Sequence, residues 1–127
     1  MNIIYYIVFF FWYLLSLLPL PVLYVFSDLL YFPLYYCVRY RRRIVRKNLT
    51  ESFPELSKEK VIRIEKQYYH FFCDYIIETI KLFSISKKQL KKRMTFGGVE
   101  EIVRKMKAEE KNFCFVYLGH YCNWEWI

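Results

Sequence analysis

A chain of 127 residues with a formal net charge of +8 has the length of one small domain, but not the even spread of charge a soluble one would have. Asp28 is the only charged side chain before Arg39 and all 20 basic residues follow, so this 56% hydrophobic, 22% aromatic sequence divides into an apolar leader and a basic, water-facing remainder. Cys37, Cys73, Cys114 and Cys122 form no C-x-x-C pair and have no histidines at zinc spacing, which argues against a metal-stapled module and for reduced thiols facing a cytosol.

Ile3 to Phe26 is almost wholly apolar, interrupted only by Ser16, Pro19 and Pro21; a bilayer span needs about 20 such residues. No positive stretch precedes it and no small-x-small site follows, so it does not read as a cleaved leader. Pro19 and Pro21 each remove a backbone donor and predict a break or kink. Two architectures stay open: one kinked span, or an inserted helix 3–18 with 21–38 at the interface, its tyrosines at headgroup level. Arg39, Arg41, Arg42, Arg43, Arg46 and Lys47 come next. The positive-inside rule puts that cluster in the cytoplasm, where a juxtamembrane run attracts anionic headgroups by about 1 kcal/mol per basic side chain. A topology signal with no role toward substrate explains the same run. The expected organisation is a membrane anchor, 1–38, followed by a domain, 39–127.

Tyr40 to Phe53 reads as a short helix stopped by Ser52-Phe53-Pro54. Ser57 is a fit N-cap for a long helix running to about Phe83, on which Val61, Ile64, Tyr68, Phe72, Tyr75, Ile76 and Phe83 form one broad apolar face. His70 and Asp74 lie one turn apart and are placed to hydrogen-bond, in a structural role. Ser84 to Arg93 forms a short helix with a basic face of Lys87, Lys88, Lys91, Lys92 and Arg93. Beside a hydrophobic anchor, an anionic membrane surface or an acidic carrier protein suits that face better than nucleic acid, and a merely solvated face suits it as well. Met94-Thr95-Phe96 reads as a brief strand, Gly97-Gly98 as a turn, and Val99 to Ala108 as an amphipathic helix with Val99, Ile102, Val103 and Met106 inward. Phe113 to Leu118, apolar without alternation, reads as a strand buried on both faces. Strand, crossover helix and strand make a right-handed βαβ unit. Gly97-Gly98 lacks the spacing of a phosphate loop.

Gly119 then ends the strand and lets the backbone turn. His120 sits at the mouth of that turn, and Glu125 follows five residues later, where a helix would start. A carboxylate holding one imidazole nitrogen leaves the other free to take a proton. His120-Tyr121-Cys122-Asn123-Trp124-Glu125 resembles the His-x4-Asp/Glu signature of the glycerolipid acyltransferase superfamily. With Gly119 before it and Asn123-Trp124 inside it, the string resembles the bacterial lipid A biosynthesis acyltransferases, the lauroyl and myristoyl branch. About seventy residues upstream, the basic helix Arg41 to Leu49 and the turn Ser52-Phe53-Pro54-Glu55 resemble the same family, as does Glu78-Thr79-Ile80-Lys81. Cys122 stands where that family usually carries Gly.

The resemblance implies an α/β fold class: membrane-anchoring N-terminal helices, then the mostly helical start of a glycerolipid-acyltransferase-like domain. It implies acyl transfer from a thioester to a lipid hydroxyl, with His120 as general base, Glu125 as its orienting acid, and Gly119, Asn123 and Trp124 shaping the loop. The donor would be acyl carrier protein or acyl-CoA, and the acceptor a lipid A precursor or another lysolipid in the inner membrane, met from the cytoplasmic side. No cofactor and no nucleic acid is implied. The chain is expected to be the N-terminal part of such a domain, truncated after the His-x4-Glu motif and inactive alone. The competing expectations are a small membrane protein whose basic helices bind partners or anionic lipid, and a membrane-tethered nucleic-acid binder.

Overall fold

Pro19 and Pro21 divide the apolar leader where their missing donors require it. In the computed structural model, which describes residues 3–95, 97–115, 117, 119 and 123–126, α1 (Ile3–Leu17) stops short of Pro19. Pro19 is extended, at φ −59 and ψ 144, and α2 (Leu20–Phe32) restarts with Pro21 in its first turn. An N–H has no intrahelical partner there, so proline costs nothing. Pro33 opens a π-helical turn, Pro33–Val38, because a residue without an N–H cannot continue the i→i−4 ladder and the widened turn absorbs the gap. Leu20–Val38 is 19 residues long and, by length and composition, apolar enough to cross a membrane. At 1.5 Å per residue α1 reaches only about 22 Å, less than a hydrocarbon core of about 30 Å.

The chain has two compact units, Met1–Ser84 and Ile85–Ile127. The first is organised by α4 (Lys58–Lys81), which Ser57 caps through its Oγ, accepting from the Lys60 N–H at 3.4 Å. Val61, Glu65, Tyr69, Cys73, Ile77 and Lys81 are its buried residues, an unbroken i±4 ridge along the helix. The face predicted from apolar spacing is therefore rotated. Val61 is buried, but Tyr68 and Phe83 are exposed, and Ile64, Phe72, Tyr75 and Ile76 are half-buried.

The reason lies on α2, which runs antiparallel along α4 and meets it through polar rungs. The Tyr24 hydroxyl donates to Glu78 at 2.5 Å, the Ser27 hydroxyl to Asp74 at 2.6 Å, and the Tyr35 hydroxyl to Glu65 at 2.9 Å. Between them Tyr31 stacks on the His70 ring with centroids 3.7 Å apart, and His70 Nδ1 lies 3.9 Å from Asp28. The expected His70–Asp74 pairing is corrected accordingly, since Asp74 answers Ser27 and His70 turns to Tyr31 and Asp28. Hydroxyls on an apolar helix need acceptors when buried, so the acidic side chains of α4 turn inward.

α1 touches the lower end of the same helix. Phe9 meets Phe83 edge-on at 5.7 Å, and Lys81, only 5% exposed, donates to the Ser16 carbonyl at 2.7 Å and the Leu18 carbonyl at 3.0 Å. The last carbonyls of a helix have no intrahelical donor and carry partial negative charge, so an ammonium there is a C-terminal cap. Ser84 donates to the Ser16 carbonyl as well. Burial pushes the Lys81 pKa below its ordinary value.

The second unit holds α5 (Lys87–Arg93), started by a reciprocal Ser86–Gln89 capping box, α6 (Val99–Ala108) and a single 3₁₀ turn, Trp124–Trp126. No strand occurs among the described residues, so the βαβ expectation is not met in them; Phe96, Val116 and Leu118 lie outside those described. Phe115 is 81% and Tyr117 93% exposed, and Val99, Ile102 and Val103 of α6 are exposed too. A strand buried on both faces needs neighbours for its ladder and cover for its side chains, and the described residues of this unit provide neither. What they show is a helical chain.

Candidate functional site

The basic cluster after the leader is held by a corner with unusual backbone. Arg39 and Arg41 both take left-handed conformations, φ 54 and φ 51, which non-glycine residues seldom adopt. The Arg39 N–H and the Tyr40 N–H both donate to the Leu34 carbonyl, closing the π-helical turn. The Ile44 and Val45 N–H groups return to the Arg41 carbonyl and start α3 (Arg42–Ser52). Tyr69 donates its hydroxyl to the Tyr40 carbonyl from α4, so the corner is fixed from the helix beneath it.

Two of the six cations face inward. Glu65, 0% exposed, receives Arg46 in a two-armed grip, Nε to Oε2 at 2.6 Å and Nη2 to Oε1 at 2.8 Å, with Arg42 Nε 3.3 Å from Oε1. Arg42 also donates to the Tyr35 carbonyl at 3.1 Å, and its guanidinium lies 4.3 Å from the Tyr35 ring centroid. Burial alone would raise the Glu65 pKa, but the hydrogen bonds from Arg46 and Tyr35 and the two positive charges hold it below the ordinary carboxylate value. Lys47 reaches Glu51 one turn on, at 3.7 Å on the surface. Arg39, Arg41 and Arg43 have no carboxylate partner among the described residues. Together with Ile44 and Thr50, these residues line a groove of about 950 Å³.

Of the motif at the end of the chain, His120 and Cys122 lie outside the described residues. Glu125 is exposed on the Trp124–Trp126 turn, so the expected helix start is a single turn there; Asn123 precedes it, half-buried, and Gly119 is exposed. Trp126 is buried, with the Arg93 guanidinium 5.4 Å from its ring centroid, which sets the turn carrying Glu125 beside the basic end of α5. Cys37, Cys73 and Cys114 are free thiols; burial first, then the charges of Asp74 and Asp28, push Cys73 up to about 11, which leaves it without a nucleophile's thiolate at neutral pH. No group of three metal-ligating side chains converges among the described residues.

The model of the bacterial lipid A biosynthesis acyltransferase family matches residues 1–126. The chain belongs to that family. No match was found among curated proteins or among solved structures. The lipid A biosynthesis acyltransferases are membrane-associated enzymes that use an acyl donor and a lipid acceptor. In this acyltransferase chain, sequence reasoning found the cations and missed their organiser, Glu65, which reads as one more charge on a solvated helix. Its signal was the four-residue step it shares with Val61, Tyr69 and Cys73. Lys81 was missed for the same reason.

Proposed function

We propose that this chain supplies the membrane-docking and base-bearing part of an enzyme that moves a fatty acyl group from a thioester, carried by acyl carrier protein, to a hydroxyl of a lipid A precursor. The reading is carried by one observation, the family match over residues 1–126, which contains the His120-x4-Glu125 pattern. An alcohol is a poor nucleophile at neutral pH. His120 takes its proton as it attacks the thioester carbonyl, and the thiolate of the donor leaves; such general-base help typically contributes about 10²–10⁴-fold. Glu125 orients the imidazole and stabilises its charged form, as the acid of a hydrolase triad does. The acceptor hydroxyl is itself the nucleophile, so no covalent enzyme intermediate forms. The fold class that goes with this reading is α/β.

The placement is the cytoplasmic face of the inner membrane. It is supported by the all-round apolar exposure of α1, by the outward side chains Val22, Val25, Phe26, Leu29 and Phe32 of α2, and by the cations directly beyond Val38. The anchor is 1–38 and the acyltransferase part 39–127.

The test uses membranes from cells expressing an acyltransferase that contains this chain, supplied with acyl carrier protein thioester or acyl-CoA and with a lipid A precursor or a lysophospholipid. One acyl chain added to the lipid A precursor from the carrier-protein donor is the expected mass change, lost in His120→Ala. Transfer that persists in His120→Ala removes His120 as the base, and transfer to the lysophospholipid alone replaces the acceptor.

A further inference from the structure

The geometry points to a phosphate-binding site in the groove at the start of α3, taking the anionic phosphate headgroup of a membrane lipid. The groove is concave, about 950 Å³, and is lined by Arg39, Arg41, Arg42, Arg43, Arg46 and Lys47. Against these six cations stand only Glu51 at the rim and the buried Glu65, so the positive charge is in clear excess. A plain topology signal needs charge alone, in any arrangement. This cluster is built instead. Glu65 clamps Arg42 and Arg46 from below, Tyr69 pins the Tyr40 carbonyl, and the backbone at Arg39 and Arg41 is held left-handed. Backbone strain kept by such surroundings marks a place where side-chain direction matters. Guanidinium forks suit phosphate oxygens better than ammonium groups do.

The position favours a lipid over a soluble anion. Immediately before the groove, Phe32, Tyr36 and Val38 are exposed on the π-helical turn and the end of α2. Exposed apolar side chains followed directly in the chain by a basic hollow match the succession of acyl chain and headgroup. The inference rests on the membrane placement proposed above but not on the acyl-transfer chemistry, so loss of catalysis in His120→Ala and loss of lipid binding are separate failures.

Native mass spectrometry of the full chain released from detergent, with phosphatidic acid or phosphatidylcholine added, tests it. The expected result is one retained phosphatidic acid in preference to phosphatidylcholine, reduced about tenfold or more in Arg41→Asn with Arg43→Gln, since each removes a charge-assisted contact. Asn tolerates the left-handed backbone at 41. Arg43→Gln alone, at an exposed position of α3, is the second variant, with helix content followed by circular dichroism. Lys87→Gln with Lys88→Gln removes equal charge elsewhere and is expected to leave binding intact. Unchanged binding in the Arg variants, or an equal loss in the Lys variant, would overturn the site in favour of diffuse attraction. Inorganic phosphate in excess is expected not to displace the lipid; displacement would overturn the lipid assignment.

Discussion

Arg46 grips Glu65 with both arms of its guanidinium, at 2.6 and 2.8 Å, and Glu65 has no solvent exposure at all. One carboxylate thereby joins three elements: Tyr35 of the π-helical turn, Arg42 and Arg46 of α3, and α4 itself. The arrangement is asymmetric, because the acid is sealed in while Arg46 is 43% exposed at its side chain. Removing Arg46 strands a buried charge, whereas removing the acid leaves two arginines that water can reach and one buried hydroxyl, that of Tyr35.

Arg46→Ala is therefore expected to destabilise the first unit by about 2–3 kcal/mol, somewhat below the usual cost of breaking a fully buried pair, because Arg42 stays beside Glu65 and Arg46 is itself partly exposed. Glu65→Gln, which keeps an acceptor for Tyr35, should cost about 1–2 kcal/mol. Urea unfolding in mild detergent followed by circular dichroism measures both, and equal losses would contradict the asymmetry.

Acid should reproduce the effect of Glu65→Gln, since protonation neutralises the same carboxylate. The folded-state pKa of Glu65 is depressed, so the stability it contributes is fully present above the unfolded glutamate value of about 4.3 and is lost as pH falls through the folded one. Thermal unfolding of the wild type should weaken as the carboxylate range is crossed. The Glu65→Gln variant should show a flatter dependence over the same range.

Lys81→Met keeps the aliphatic stem and deletes the cap on the Ser16 and Leu18 carbonyls. The expected cost is about 1–3 kcal/mol, because the Leu18 carbonyl loses its donor and the Ser16 carbonyl keeps only Ser84. It should be local, with faster amide hydrogen exchange in α1 and little change in α2. Uniform acceleration across the first unit would place Lys81 in the general core instead.

Cys73 is buried and its pKa stands near 11, whereas Cys114 is exposed. Iodoacetamide at pH 8 should modify Cys114 in minutes and leave Cys73 untouched until denaturant is added, as read by peptide mass spectrometry.

On the role proposed for Glu125, which acts on the base and not on substrate, Glu125→Gln should lower kcat for acyl transfer by about 10²-fold or more with little change in KM for the lipid. A KM effect alone would move Glu125 from orienting His120 to binding the acceptor.

Much of the first unit was legible because local chemistry decides it. Pro19 and Pro21 mark the break between α1 and α2, Ser57 marks the start of α4, and Phe53-Pro54 the end of α3. The packing face of α4 was not legible, since hydropathy periodicity assumes that charges face water. Glu65 and Lys81 face inward because partners thirty and sixty-five residues away, Tyr35 and Ser16, await them. The expected strands are not met among the described residues for a related reason. Apolar content at Phe113–Phe115 speaks for burial, but a strand forms only beside another, and pairing is not a local property. At the site, the cations were found by their sequence, while the tethering of Arg42 and Arg46 depends on Glu65, a residue nineteen positions from Arg46.

The rungs from α2 and the π-helical turn to α4 join residues 30 to 54 apart in sequence. During synthesis at about 5–20 residues per second, α2 leaves the ribosome some seconds ahead of the helix that answers its hydroxyls. In that interval its greasy side can already seek lipid while Tyr24 and Ser27 have no acceptor on α4. On the membrane placement proposed above, insertion of the leader precedes closure of the first unit by a time set by the length of the intervening chain, and delayed translation between residues 38 and 65 would prolong the exposed stage.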